Sequence, residues 1–225
     1  VISMSLKGFT WAKDLSGHPQ PQVRKFVIPD ATAIEKGEPV QFTQGTGVVV
    51  HAGPADFDDP ILGVSINEKA ANDGQVQLEV SCSPTAVYKW NGKQKTYTLT
   101  GGSTTTAVDS SLMPQTDNFL KNGSIRIVSC AADSTLNGKV VKIASSTGAT
   151  GTITLAETLP AALAAGDTIN ICLGEYAKDY LGYDLDADAM NPDFDAVGGT
   201  VLRFLYSDTR TMDMFFMFEK YGVTS

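Results

Sequence analysis

The sequence predicts an all-β protein made of two β units, preceded by a stretch that does not read as core. Three observations carry this. Across residues 26–90, short apolar runs are cut by turn residues at the spacing of short strands in small sandwiches and barrels. Within them Val76, Leu78 and Val80 alternate with Gln75, Gln77 and Glu79, giving one dry and one wet strand face. Glycine supplies 21 of 225 residues, and helix-favouring charged stretches are few. Hydrophobic residues at 42% and charged residues at 19% give enough apolar material for a core. The length suits one large or two small domains.

In chain order, residues 1–25 read as an extended N-terminal arm. Gly8, Gly17, Pro19 and Pro21 interrupt any period, and Phe9 and Trp11 stand nearly alone. Trp11 has two readings. It tucks back on its own domain, or it anchors on a neighbouring subunit, because tryptophan is enriched in interface hot spots. His18, beside Pro19, is expected as an exposed loop residue.

Residues 26–95 form the first unit. Strands are expected at 39–43, where Val40 and Phe42 alternate with Gln41 and Thr43, and at 47–52, which His51 nearly ends. A third strand, 75–80, follows the Asn72-Asp73-Gly74 turn, whose residues tolerate positive φ. A fourth, 86–90, leads to the Asn91-Gly92 turn. His51 has no second histidine nearby and is read as structural. The acidic, proline-containing loop 52–60 is expected to be exposed.

After Lys95 the composition shifts to threonine, serine and glycine, and residues 96–174 read as the second unit. Strands are expected at 124–129, with Ile125 and Ile127 opposite Arg126 and Val128, then at 139–144 and 152–155. A last one at 167–173 carries Ile169, Ile171 and Leu173 on one face. Asn-Gly pairs at 122–123 and 137–138 are strong turn signals.

Residues 175–225 change texture. A short helix is expected at 175–183, with Tyr176, Tyr180 and Tyr183 on one side. An acidic loop, 184–195, follows. Strands 200–206 and 212–219 are apolar on both faces and are expected to be buried on both sides and to complete the sheet of the first unit. Met212, Met214 and Met217 with Phe215, Phe216 and Phe218 read as core first and as a subunit interface second.

Net charge −8, with no basic run longer than Arg24-Lys25, argues against a nucleic-acid partner. No apolar run reaches spanning length and no signal peptide is read, so no membrane partner is expected. Cys82, Cys130 and Cys172 are odd in number and lack CxxC spacing, which points to buried or half-buried thiols in a reducing cytoplasm.

The acidic loop is the best place to look for chemistry. Asp184, Asp186 and Asp188 fall at positions 1, 3 and 5 of a window that ends at Asp195 in position 12. An EF-hand is excluded, because Ala189 stands where glycine is required and Asp195 where glutamate is. The one metal candidate is a looser oxygen-ligand site for Ca²⁺ or Mg²⁺ on Asp184, Asp186 and Asp188; the reading taken is a solvated loop with no metal. There is no nucleophile elbow, phosphate-binding glycine loop or H-E-x-x-H. Two histidines leave little for acid–base work. No enzymatic activity and no cofactor are expected.

The order of pieces in the first unit carries a resemblance. D-A-T-A-I-E-K-G-E-P-V (30–40) is followed by a strand pair, D-P-I-L-G-V-S (59–65) and D-G-Q-V-Q-L-E-V (73–80). It resembles the decoration, or head-stabilisation, proteins of tailed bacteriophages, small β-rich proteins that sit on the capsid exterior, commonly as trimers. Separately, G-S-T-T-T-A-V-D-S-S-L and the later N-G-S-I-R-I-V-S, N-G-K-V-V-K-I and A-A-G-D-T resemble a β module of phage virion proteins. The resemblances imply a small β-barrel or sandwich decoration core (26–95 with 175–225), a second β domain inserted at 96–174 and projecting outward, and the arm 1–25. They imply a homotrimer that binds the major capsid protein and stabilises the expanded shell, located on the outer virion surface after assembly in the host cytoplasm. Phe9, Trp11, Phe204, Met214, Phe216 and Phe218 are the expected capsid or subunit contacts. The rival readings are a head-fibre adhesin binding host glycans, a tail-tube or connector protein, and a hydrolase using the acidic loop.

Overall fold

The computed structural model describes residues 7–43, 45–50, 61–112, 117–175, 177, 184–185, 191–194 and 202–218. The protein is all-β, with antiparallel pairing throughout its sheets and only single-turn 3₁₀ segments between described strands. Most of the expected helix at 175–183, of which residues 175 and 177 alone are described, His51, and most of the acidic loop lie outside the described residues. Among the described residues, no helix is long and apolar enough to cross a membrane.

The first sheet is a half-barrel of β2 (Val23–Val27), β3 (Pro39–Thr43), β4 (Gly47–Val50), β5 (Gly63–Ser65) and β6 (Gln77–Ser81), in the order β2-β6-β5-β3-β4. Its alternating residues do what the sequence asks of them. Ile28, Ile34, Val40, Val48, Leu62, Leu78 and Val80 turn inward and form a core of their own. The expected dry face is wrong at Val76, which is exposed, because regular pairing begins one residue later at Gln77.

A buried lysine ties the loops of this sheet together. Lys69 pairs through its backbone with Ile34, and its side chain is wholly enclosed. Its Nζ donates to the carbonyls of Asp30 (2.7 Å), Thr32 (3.2 Å) and Ala70 (2.9 Å), which uses all three ammonium protons. The Asp73 and Asp30 carboxylates lie 3.2 and 3.7 Å from it. Asp30 also accepts from Gly74 N–H at 2.8 Å, so loop 30–34 and turn 69–74 are locked face to face.

The second sheet lies wholly within residues 97–172: β8 (Tyr97–Thr98), β9 (Gly101–Gly102), β10 (Thr106–Val108), β11 (Ser124–Ser129), β12 (Val140–Thr147), β13 (Thr152–Leu155) and β14 (Thr168–Cys172). Its order is β8-β14-β11-β12-β13-β10-β9. The two end strands are separated in sequence by only Leu99 and Thr100. Leu99 bonds to the β14 side, donating to Asp167 and accepting from Gly166, while Thr100 N–H donates to Val108 on β10. The sheet therefore closes on itself as a barrel, with 97–102 acting as one strand that changes partner midway. β14 returns beside β11 after the β11-β12-β13 meander, a Greek-key order. The lumen is filled by Tyr97, Leu99, Ile125, Ile127, Val141, Ile143, Ile153, Leu155, Ile169 and Ile171. Asp167, in the A-A-G-D-T segment, pins the return by accepting from Ala131 and Ala164 N–H groups.

The third sheet runs β1 (Thr10–Asp14), β7 (Ala86–Asn91), β18 (Asp213–Phe218), β17 (Leu202–Asp208). The two late strands thus join β7, through β18, and do not complete the half-barrel. They are also not buried on both sides. Leu202, Phe204, Met214, Phe216 and Phe218 are buried, whereas Leu205, Phe215 and Met217 are only half-buried and Arg203 is exposed. The buried face shares one continuous apolar core with the barrel. The seam is bonded as well: Ser207 Oγ donates to Leu173 O (2.6 Å), and Leu173 N–H to Met214 Sδ (3.3 Å).

Replacing Lys69 by methionine keeps the volume but strands three carbonyls and removes the partner of two carboxylates. The unfolding free energy should fall by about 3 kcal/mol, read from the urea midpoint. A change within ~0.5 kcal/mol would mean that the lysine does not hold these loops.

Candidate functional site

Chain segment 7–11 bridges the half-barrel and the third sheet, and two clefts adjoin it. Phe9 N–H donates to Gly37 O (2.8 Å), and Gln94 Nε2 to Gly8 O (3.2 Å). The first contact requires glycine at 37. Its φ is +87°, and a Cβ there would sit 2.7 Å from the Lys7 carbonyl. The turn that presents Gly37 is held by Glu38 Oε2 accepting from Glu35 N–H (2.7 Å) and by Ser65 Oγ donating to Glu35 O (2.5 Å).

The larger cleft, about 530 Å³, is polar and is lined by Lys7, Glu35, Glu38, Lys69, Gln94 and Asn191 among others. Lys69 is already fully engaged there, so Glu35, Glu38 and Lys7 bring the ionic character. The second cleft, about 360 Å³, is mainly apolar and is walled by Phe9, Trp11, Pro21, Val64, Ile66 and Tyr88. Near these clefts Gln94 Oε1 and Trp11 Nε1 are buried and have no hydrogen-bond partner among the described residues. The lining residues of both clefts include no histidine and no cysteine. Such surfaces suit recognition of a chain or ligand by shape and charge.

The predicted contact residues are mostly elsewhere than a contact needs them. Phe9 is buried against Phe216 and Phe218, at ring-centre distances of 6.2 and 5.7 Å. Phe204 packs edge-on to Phe216 at 5.6 Å, and Met214 is fully enclosed. Phe9, Phe204, Met214, Phe216 and Phe218 therefore form intramolecular core, and their expected role as capsid or subunit contacts is corrected. Trp11 is half-buried on β1 and packs against that core while walling the apolar cleft, so the tuck-back reading describes it. The arm is corrected from Phe9 to Asp14, which dock as core and strand; a strand this short was hidden by the glycines and prolines around it. His18 is exposed, as expected.

Asp184 lies on β15 (Asp184–Leu185), which pairs with β16 (Pro192–Asp193); Asp186 and Asp188 lie outside the described residues. Among the described residues, no group of three or more histidine, cysteine, aspartate or glutamate side chains is placed to hold a metal.

Sequence reasoning passed over two groups that matter locally. Lys69 gave no pattern signal because a single lysine in a loop looks solvated. Asp14 ends β1 and is buried; burial alone would raise its pKa, but hydrogen bonds from Ser16, Thr85 and Ser83 outweigh it and hold the carboxyl far below the usual range. Backbone donation from Gln75, helped by Lys69, lowers Asp73, and Thr135 lowers Asp133. The thiols behave oppositely. Burial pushes Cys172 up to about 12 and raises half-buried Cys82, against a smaller lowering effect of Arg24.

No family model, no curated protein and no solved structure matches this chain.

Two measurements follow. With a thiol-specific disulfide reagent near neutral pH, the native protein should react slowly and at Cys82 alone, with Cys130 and Cys172 reacting only on unfolding; fast labelling of two thiols would contradict this burial. Asp14, Asp73 and Asp133 have depressed folded-state values. They contribute stability in full above the unfolded-state value of about 4, and that stability is lost as pH falls through the lower folded values. Unfolding free energy should therefore fall below about pH 4, and Asp14→Asn should flatten part of that fall.

Proposed function

We propose that the protein is a structural virion component that binds the outer surface of a tailed-phage capsid and stabilises the expanded shell as a homotrimer. One observation carries the reading. The described residues of the stretch with the family resemblance, 30–80, supply four of the five half-barrel strands and most of its separate core, and several of their motif residues fix its geometry. Asp30 joins the first motif to the last through Gly74. Gly37 admits the Lys7–Phe9 segment, and at Gly63 a Cβ would collide with the Ser81 carbonyl. These motifs thus specify a scaffold, which is what a family sharing architecture would keep.

The physical role is surface burial across neighbouring shell subunits. Each attachment removes area from water and lowers the free energy of the expanded lattice, and a trimer adds avidity beyond a single contact. The acidic, all-β chain with its ionic and apolar clefts supports a binding role. With Phe204, Phe216 and Phe218 enclosed, shell contacts fall to the half-barrel surface and the segment 7–11 clefts.

The test is the mass of the purified protein in solution, alone and with empty phage heads. Trimers that co-sediment with expanded heads, and not with unexpanded ones, are the expected result. A closed ring that ignores heads would move the assignment to the tail, and a monomer that binds neither would end the capsid reading.

A further inference from the structure

β2 is an outer strand of the half-barrel, and its register decides which of its backbone groups are used. Cys82 N–H donates to Gln22 O (2.9 Å) and Ile28 N–H to Val76 O (3.1 Å), and Val23↔Ser81 through Val27↔Gln77 keep one register between them. In an antiparallel ladder alternate residues bond to the partner strand. Residues 22, 24, 26 and 28 therefore face β6, and Val23, Lys25 and Val27 turn their N–H and C=O groups outward. Among the described residues nothing bonds to those groups. Gly47 crowds the Val27 carbonyl, with a Cβ position 2.6 Å from it, so the open stretch is Val23 to Lys25.

The side chains along this edge combine two exposed valines with a basic pair. Val23 is 40% exposed and Val27 62%, on the same strand face as Lys25. Lys25 leans back onto the sheet towards Glu79, at 3.5 Å, instead of out over the edge. Within β2 there is no proline and no bulge. Edges are normally blunted by proline, bulges, charged side chains or a covering element, and of these β2 carries only the charges of Arg24 and Lys25, which favour an acidic strand over a basic one.

We propose that the β2 edge is an interaction surface that takes one extended strand of a partner protein, with a carboxylate opposite Lys25 and a β-branched residue opposite Val23. The strand adds to the half-barrel through the free N–H and C=O groups of Val23 and Lys25. Charge selects the occupant. Arg24-Lys25 is the one adjacent basic pair in a chain of net charge −8. A second copy of β2 laid antiparallel on this edge would set these cations against each other, and like charges directly opposite are unfavourable. An acidic strand from another protein meets both the hydrogen-bonding and the charge requirement. This surface does not depend on the capsid reading.

The experiment uses the full chain and a blocked peptide of sequence threonine–glutamate–threonine–valine–threonine, its glutamate set opposite Lys25 and its valine opposite Val23, followed by residue-resolved amide hydrogen exchange. The peptide should slow exchange at Val23 and Lys25 while leaving Arg24 and Phe26, already bonded to β6, unchanged. A peptide with lysine in place of that glutamate should bind about fivefold more weakly. Lys25→Pro removes an N–H that the β2–β6 ladder does not use, so the fold should survive while peptide binding weakens about tenfold or more. Lys25→Gln keeps the N–H and should erase only the preference for glutamate. Unchanged exchange at Val23 and Lys25, or equal binding by Lys25→Pro, overturns the proposal. So does a concentration-dependent self-association that Lys25→Pro abolishes, which would make a second copy the occupant. Should Lys25→Pro fail to fold, the two peptides compared on the unsubstituted chain decide the matter.

Discussion

Burial of one face of the β17–β18 hairpin is the interaction on which the rest of the third sheet depends. Met214, Phe216 and Phe218 turn inward together with Leu202 and Phe204. Phe9 from the start of the chain and Tyr88 from its middle meet the rings of this face, with Tyr88 and Phe218 5.3 Å apart. Met214 also receives the Leu173 N–H at the end of the barrel. Fully burying one such side chain stabilises by about 1.5–3 kcal/mol, more than most single hydrogen bonds contribute. Regions far apart in sequence are thereby held to one core, and β1 has a sheet to join.

The half-barrel is stabilised differently. Its core is small, and its loops are fixed by polar groups that apolar packing cannot replace. Lys69 is enclosed, yet every proton of its ammonium group is given to a carbonyl, with two carboxylates close by. A buried charge is tolerable only under such complete pairing. The arrangement fixes the relative position of loops that β-strand propensity alone leaves open. Glu38 and Ser65 then fix the turn over which residues 7–9 cross, and the clefts beside that crossing are a consequence of the same bonds.

Closure of the barrel and openness of the half-barrel set how the two units can meet other molecules. The barrel spends its strand edges on itself through the change of partner at Leu99 and Thr100. The half-barrel curls until Gly47 nears Val27 and, among the described residues, part of β2 is left unpaired. Recognition through backbone groups is therefore available to the half-barrel and denied to the barrel, whose exposed surface can offer only side chains and turns.

The sequence by itself determined the local grammar. Period-two alternation located strands at 39–43, 124–129 and 152–155 to the residue, and Asn72, Asn122 and Gly138 took the positive φ that their turns need. It also determined that the thiols would be buried or half-buried. Which strands share a sheet was decided only in the tertiary structure. An apolar strand such as 213–218 reads the same whether it lines its own chain's core or a subunit interface, since both bury the same face. Phe9 and Trp11 looked isolated because their partners lie some two hundred and some eighty residues away. Lys69 looked solvated because its acceptors are backbone carbonyls, which leave no trace in composition. Short-range periodicity records which way a side chain points; what it meets there depends on contacts that close over long loops, and those are set by the packing of the whole chain.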